Sequence, residues 1–391
     1  MKIIKIETLH ADAGWRAACF VKITTDAGLV GWSEYGEHFG TAGVTGVIHA
    51  LGELLIGLNP MGIERIAALL RGRTIQASGG INQNAISALI NALFDIKGKA
   101  LGVPVAALFG GALRDRVPVY WSHFGTYRVR NAVLMEKPPL RGFDDWARLG
   151  EQAREQGFRG IKTGLVSQSE TGFANIGPGF AYTPGYPELN LDRSLLATLD
   201  RQLTAMREGA GADMEIMLDV NFHFKTEGFL ELVRALEPHQ LAWLELDTYN
   251  PAALARIRAA ARFPIASLEA LFGRANLRPF FEAGAVDVAI IDLIWNGYLE
   301  SIKMAGLAET YDVNVSTHNY CGGVLSDVIS AHFAAAVPNL RFVEYDPEDV
   351  PWKPEFLTEP LLVQHGNLLV PQGPGWGVDV NEDFILRHPP R

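Results

Sequence analysis

The fold is decided by "HQLAWLELDTYNP", residues 239–251. Its apolar run "LAWLEL" has the length and composition of a buried strand, yet Glu245 lies inside it and Asp247 follows two residues on. A buried carboxylate without a partner costs several kcal/mol. The acid is tolerable only where something shares its charge, and the same pattern recurs at other strand ends.

Beyond residue 115, short apolar runs alternate with helical stretches rich in Ala, Leu, Glu and Arg. The runs are "VPVYWSH", "FRGIKTG", "EIMLDVN", "LAWLELD", "FPIASLE", "VDVAIIDLIW", "VNVSTHN" and "LRFVEYD". Segments such as "DDWARLGEQAREQG" and "RSLLATLDRQLTAMREG" separate them. Eight strands with helices between them predict a parallel α/β domain, and eight is the number that closes a barrel. The competing doubly wound sheet lacks its glycine-rich phosphate loop, to which "GGVLSD" and "GFANIGPG" are only loosely similar.

Each of the last six strands ends in, or just before, a residue that should not be buried alone: Asp219, Glu245, Glu269, Asp292, His318 and Glu344. The spacings are 26, 24, 23, 26 and 26 residues, close to one β-α unit each. Such residues converge at the C-terminal end of a barrel, where barrel active sites sit. Three adjacent carboxylates, Asp219, Glu245 and Glu269, repel one another unless a hard cation joins them. All-oxygen ligands select Mg²⁺ or Mn²⁺ over Zn²⁺. Any one of these acids alone would more simply cap a helix or pair with an arginine; three in succession point to a metal.

The next rungs suit proton chemistry. Asp292 and His318 come from neighbouring strands, and a carboxylate beside an imidazole fixes its tautomer and raises its basicity. Glu344 would hydrogen-bond a substrate oxyanion if it stays protonated among anions. Lys162 ends an earlier strand, facing the carboxylates, where it either holds a substrate carboxylate, moves a proton or pairs structurally with the acids. Asn221 and His223 follow Asp219 at period two and share its face, as candidate substrate contacts.

The first 115 residues differ in character. "KIIKIETLHA" and "RAACFVKITTDAGLVGWSEY" alternate around the turn signal "DAG" and predict an antiparallel meander. The pattern then becomes helical, most clearly in "NAISALINALFDIKGKALG". This α+β unit (1–115), the barrel (116–346) and a proline-rich tail (347–391) that crosses back to the first unit make up the expected organisation. The connection 165–189 is long enough to be a lid or a binding loop. Arg16 in "HADAGWRAA", together with Tyr182 and Tyr186 in that connection, is placed to reach distal parts of a ligand.

Composition sets the outer limits. The chain has 391 residues, 48% hydrophobic and 20% charged, an ordinary globular profile. A net charge of −10 argues against sequence-independent nucleic-acid binding, while leaving an anionic small substrate open through a metal. Two cysteines, Cys19 and Cys321, make no disulfide framework. No apolar run spans a membrane and the N-terminus does not read as a secretory signal, so the expected location is cytoplasmic.

Together these residues resemble the enolase superfamily, in particular its mandelate racemase subgroup, nearly end to end. "AISALINALFDIKGKALGVPVAALFGG" (85–111) resembles the capping-domain signature, with Ile90 where an acid is common. "GFRGIK", "MLDVN", "WLELD", "PIASLE" and "IIDLIWNG" resemble the successive strand ends. The resemblance implies a TIM-like (β/α)₇β barrel with an α+β capping domain built from both chain ends. It also implies Mg²⁺ on Asp219, Glu245 and Glu269, an Asp292–His318 dyad, Glu344 as electrophile, and a homo-oligomer, an octamer being among the assemblies. The subgroup often carries Lys-x-Lys on the second strand; here it is Lys162-Thr163-Gly164. Racemisation loses its usual second base, whereas elimination does not strictly need one. The expected activity is therefore Mg²⁺-dependent dehydration of an acid sugar, an aldonate or aldarate, to a 2-keto-3-deoxy acid. The alternatives are a racemase or epimerase on the same scaffold, and a homologue that binds sugar acids without turnover.

Overall fold

Three antiparallel strands begin the chain: β1 (Ile3–Asp12), β2 (Ala17–Thr25) and β3 (Val30–Tyr35). The computed structural model describes residues 1–177, 191–319 and 323–390; Tyr182, Tyr186 and Cys321 lie outside them. The meander buries Phe20, Val21 and Ile23 against the 22-residue helix Gly80–Leu101. A side chain at Gly31 would meet Ala92 O at 2.1 Å, so glycine is what lets strand and helix touch. Ile90 is buried in this core, where a carboxylate would need a partner.

The eight predicted runs all form parallel strands: β4 (Arg116–Trp121), β5 (Gly160–Thr163), then, after a small hairpin of β6 (Val166–Ser169) and β7 (Gly172–Asn175), β8 (Glu215–Asp219), β9 (Trp243–Glu245), β10 (Ile265–Ser267), β11 (Val288–Asp292), β12 (Asn314–His318) and β13 (Leu340–Tyr345). Pairing of β13 with β4, Glu344 opposite Tyr120, closes the ring into a barrel. Each barrel strand but the last is followed by a packed helix, the (β/α)₇β order. The hairpin occupies the start of the long connection 165–189, whose residues 178–189 lie outside the description.

Side chains alternate across each strand, and this period places the site. Tyr120, Met217, Trp243, Ala266, Val288, Ile290 and Phe342 form an apolar cluster of their own. Two residues on from Met217, Trp243, Ile290 and Phe342 stand Asp219, Glu245, Asp292 and Glu344. The barrel is thus plugged by hydrophobic side chains, with a polar layer one step nearer the strands' C-terminal ends.

The tail does cross back. β14 (Val363–Gln364) and β15 (Asn367–Leu369) form a hairpin whose second strand pairs antiparallel with β4. The helix Glu382–Arg387 then packs on β1. Fully buried Asp95 joins the parts: it accepts from Trp32 N at 2.9 Å, Trp376 N at 2.9 Å and Lys99 Nζ at 2.8 Å. No helix of the described residues is long and apolar enough to cross a membrane.

Removing this carboxylate strands two backbone donors and part of an ammonium's solvation. Asp95→Ala is expected to lower unfolding stability by about 3–5 kcal/mol, measured by urea denaturation.

Candidate active site

Lys162 Nζ stands at the centre of the polar layer. It lies 3.0 Å from Glu245 Oε2, 3.0 Å from Glu344 Oε1 and 3.5 Å from Asp219 Oδ2. The structure therefore shows the pairing of Lys162 with the acids, one of the arrangements expected for it. Glu245 Oε2 also accepts from Trp243 Nε1 at 3.1 Å, while its Oε1 is buried with no hydrogen-bond partner among the described residues.

One ligand atom each from Asp219, Glu245 and Glu269 lies within 4.8 Å of the others. Burial pushes the carboxyls of Glu245 and Glu269 upward, against the pull of Lys162 on the first and His318 on the second. Such a group is short of positive charge, and an orphaned oxygen inside it marks where charge is missing. Both observations, and the all-oxygen donor set, fit a hard divalent cation.

His318 stands beside this triad. Its Nδ1 is 2.6 Å from Asp292 Oδ2 and its Nε2 is 3.2 Å from Glu269 Oε2. Asp292 Oδ1 accepts from Ile294 N and Trp295 N, both at 2.7 Å, so the carboxylate that orients the ring is itself held by the next helical turn. Burial opposes a charge on His318, but Glu269 and Asp292 raise its imidazole well above the usual value.

Glu344 differs from the protonated acid expected of it. Burial favours the neutral form, yet Lys162 and His318 outweigh it and hold the carboxyl well below the usual range. Ser122 Oγ donates to Oε1 at 2.5 Å and Asn319 N to Oε2. Every partner of this group suits the anion.

Asp247, the second acid of the opening stretch, accepts from Ser267 Oγ at 2.9 Å and Leu268 N at 3.1 Å. Leu268 has φ of 90°, a left-handed conformation that costs a leucine energy, immediately before Glu269. Asn221 at φ 39° bonds back to Asp219 Oδ1 through its backbone N at 3.1 Å. Two strand ends that supply triad members thus bend sharply at the site.

A cavity of about 980 Å³ opens over these groups. Asp219, Asn221, His223, Glu269, Asp292, His318, Lys162 and Glu344 line it. His223 is largely buried, and this pushes its imidazole down to about 4. Arg16 does not line the cavity; its neighbour Ala17 does. The Arg16 guanidinium is buried on Asp349, with contacts of 2.6 and 3.1 Å, an interaction 333 positions away along the chain that its local sequence does not announce. From the capping domain come Glu34, Tyr35 and His38, and from the end of β4 come Ser122 and His123.

His123, His38 and Asp346 were not among the predicted residues. His123 Nδ1 lies 3.1 Å from both oxygens of Asp346. The signal was available: "VPVYWSH" and "LRFVEYD" each end in one of these residues. At Gly164 a Cβ would meet, among the described residues, only Asp219 O and Thr126 Cγ2, each at 3.7 Å, so their packing does not forbid a side chain there.

Comparison with known proteins agrees with this picture. Residues 145–384 match the family model "Enolase C-terminal domain-like", and residues 10–110 match "Mandelate racemase / muconate lactonizing enzyme, N-terminal domain". A D-galactarolactone cycloisomerase of Agrobacterium fabrum is 30% identical over 95% of this chain and 90% of its own. A D-galactonate dehydratase of Ralstonia nicotianae is 28% identical, over 99% and 94%. Among solved structures, a Burkholderia xenovorans protein named as an L-alanine-DL-glutamate epimerase, bound to magnesium and fumarate, shares 47% identity with a TM-score of 0.96, covering 100% and 96% of the two chains.

If the triad takes a divalent cation, Mg²⁺ at a hundred times its dissociation constant stabilises the fold by about 2.7 kcal/mol. The expected result is a Tm that rises with Mg²⁺, falls back with EDTA, and no longer responds in Glu245→Gln.

Proposed function

Because the chain belongs to the mandelate racemase/muconate lactonizing enzyme family of enolase-like enzymes, we propose that it is a Mg²⁺-dependent dehydratase of an acid sugar, an aldonate or aldarate. One observation carries the reading: the His318 ring, oriented by Asp292, stands 3.2 Å from Glu269, a member of the carboxylate triad. Base and metal-binding group are therefore neighbours in one cavity.

Mg²⁺ on Asp219, Glu245 and Glu269 would supply the Lewis-acid charge that an enediolate needs. The chain's own residues do the rest. Asp292 holds Nδ1 of His318, so Nε2 is the nitrogen that takes the proton α to the substrate carboxylate. Lys162, kept in place by Glu344 and Glu245, offers a fixed positive charge to the developing oxyanion. Asn221 and His223 line the same cavity and are assigned to substrate hydroxyls. Residues 34–41 of the capping domain contribute Glu34, Tyr35 and His38 to the wall, which limits water over the reacting carbons. The α C–H electrons form the new double bond, the β-hydroxyl leaves, and the enol tautomerises to a 2-keto-3-deoxy acid. Relatives named as D-galactonate and D-xylonate dehydratases support this choice.

A second reading is 1,1-proton transfer, favoured by the likeness to a chain named as an epimerase. It requires a base on the opposite face of the enediolate, and Gly164 stands where the subgroup's usual second lysine would be. Exchange of the α-proton with solvent deuterium, without loss of water, would decide for it.

The test is a screen of aldonates and aldarates with Mg²⁺, read as 2-keto-3-deoxy product. His318→Asn is expected to lower turnover at least by the ~10²–10⁴ of one acid/base group. Substantial dehydration by that variant would remove His318 as the base.

A further inference from the structure

We propose that His123, oriented by Asp346, is the general acid that protonates the leaving β-hydroxyl; the assignment rests on the dehydratase reading above.

The barrel carries a second imidazole–carboxylate pair. His318 ends β12 and is paired to Asp292 at the end of β11; His123 lies two residues past β4 and is paired to Asp346, one residue past β13. Around the ring the strands run β12, β13, β4. Glu344 on β13 therefore stands between the two histidines, and its carboxyl is lowered by both of them. Both rings line the same cavity. Two strand spacings measure roughly 10 Å, a gap that two inward-reaching side chains and one vicinal pair of substrate carbons fill. A base at one carbon and an acid at the next is what elimination asks of a site.

The structure holds His123 with care. Its backbone is left-handed, at φ 45°, uncommon for any residue but glycine. Both neighbours are fastened: Ser122 N donates to Tyr345 O at 2.9 Å and Phe124 N to Lys162 O at 2.8 Å. The ring stacks on Tyr127 at 4.2 Å and 9°. Tyr127 in turn meets Trp15 of the capping domain edge-on at 5.2 Å. The imidazole is thus clamped between the barrel rim and the cap.

Other donors suit the step less well. Lys162 already faces three carboxylates. His223 is largely buried, with its imidazole pushed down to about 4, and so carries no proton to give near neutrality. In the proposed step His318 Nε2 takes the C2 proton and the C–H pair enters the C2–C3 double bond. The C3–O bond breaks as His123, through the ring nitrogen opposite the one Asp346 holds, gives its proton to the departing oxygen. Water and an enol result. Ketonisation moves one proton from the enol oxygen to C3 through solvent, and the proton gained by His318 and lost by His123 is re-equilibrated with solvent.

The experiment uses full-length His123→Gln with Mg²⁺ and the acid sugar the wild type dehydrates, together with its 3-deoxy-3-fluoro analogue. Fluoride leaves without a proton, so its loss bypasses the acid. The expected result is a fall in water elimination of at least ~10²-fold, with fluoride elimination and C2 deuterium exchange unchanged in order of magnitude. Asp346→Asn, which keeps the ring and its stacking, is expected to shift the same ratio in the same direction, so a folding defect in one variant does not decide the matter. Unchanged water elimination in His123→Gln overturns the proposal. So does an equal fall of water loss, fluoride loss and exchange in a variant whose Mg²⁺-induced Tm shift is intact. A wild type that dehydrates no acid sugar overturns the dehydratase reading itself, and the role of His123 with it.

Discussion

Asp219, Glu245, Glu269, Asp292 and Glu344 share the upper end of the barrel with Lys162 and His318, and that imbalance of charge governs the site. Asp219, Glu245 and Glu344 are all within 3.5 Å of Lys162 Nζ, while Glu269 depends on His318. The desolvation of so many like charges is expensive. A folded protein tolerates it where a ligand completes the set. The apolar plug beneath, with Trp243 and Phe342, keeps the polar layer shallow and its groups near the mouth. The strand period that makes the plug also makes the layer above it.

The capping domain is joined to the barrel by buried charge as well as by hydrophobic contact. Glu34, at the end of β3, accepts from Leu325 N and Ser326 N at the start of the helix that follows β12, and a side chain at Gly323 would meet Glu34 Oε1 at 1.8 Å. Arg16 grips Asp349 just beyond β13. These contacts fall beside the two strands that carry His318 and Glu344. These contacts tie the cap to the strands that carry the proposed proton-transfer groups.

Much of this was legible in the sequence, for a definite reason. A polar residue closing an apolar run is conspicuous, and six of them at near-constant spacing predicted both the barrel and the gathering of Asp219, Glu245 and Glu269. The structure brings together those three, and Asp292 with His318. What escaped has physical causes too. The charge state of Glu344 depends on Lys162, two strands away around the ring by the order β13, β4, β5, and on Ser122 and Asn319, none of which its own run reveals. Arg16 looked available because Asp349 is 333 positions distant. His123 ends the first barrel run, outside the last six over which the spacing ran, and Asp346 follows Glu344, which already filled the rung on its strand, so the regular spacing passed over both.

The central claim is that three strand-end carboxylates hold one divalent ion in the barrel mouth. The most direct measurement is anomalous scattering from crystals soaked in Mn²⁺. The account predicts a single strong peak in contact with Asp219, Glu245 and Glu269 together, at roughly the 2.0–2.2 Å of a hard oxygen-ligated cation. A peak elsewhere in the fold, or none at these three residues, would contradict it.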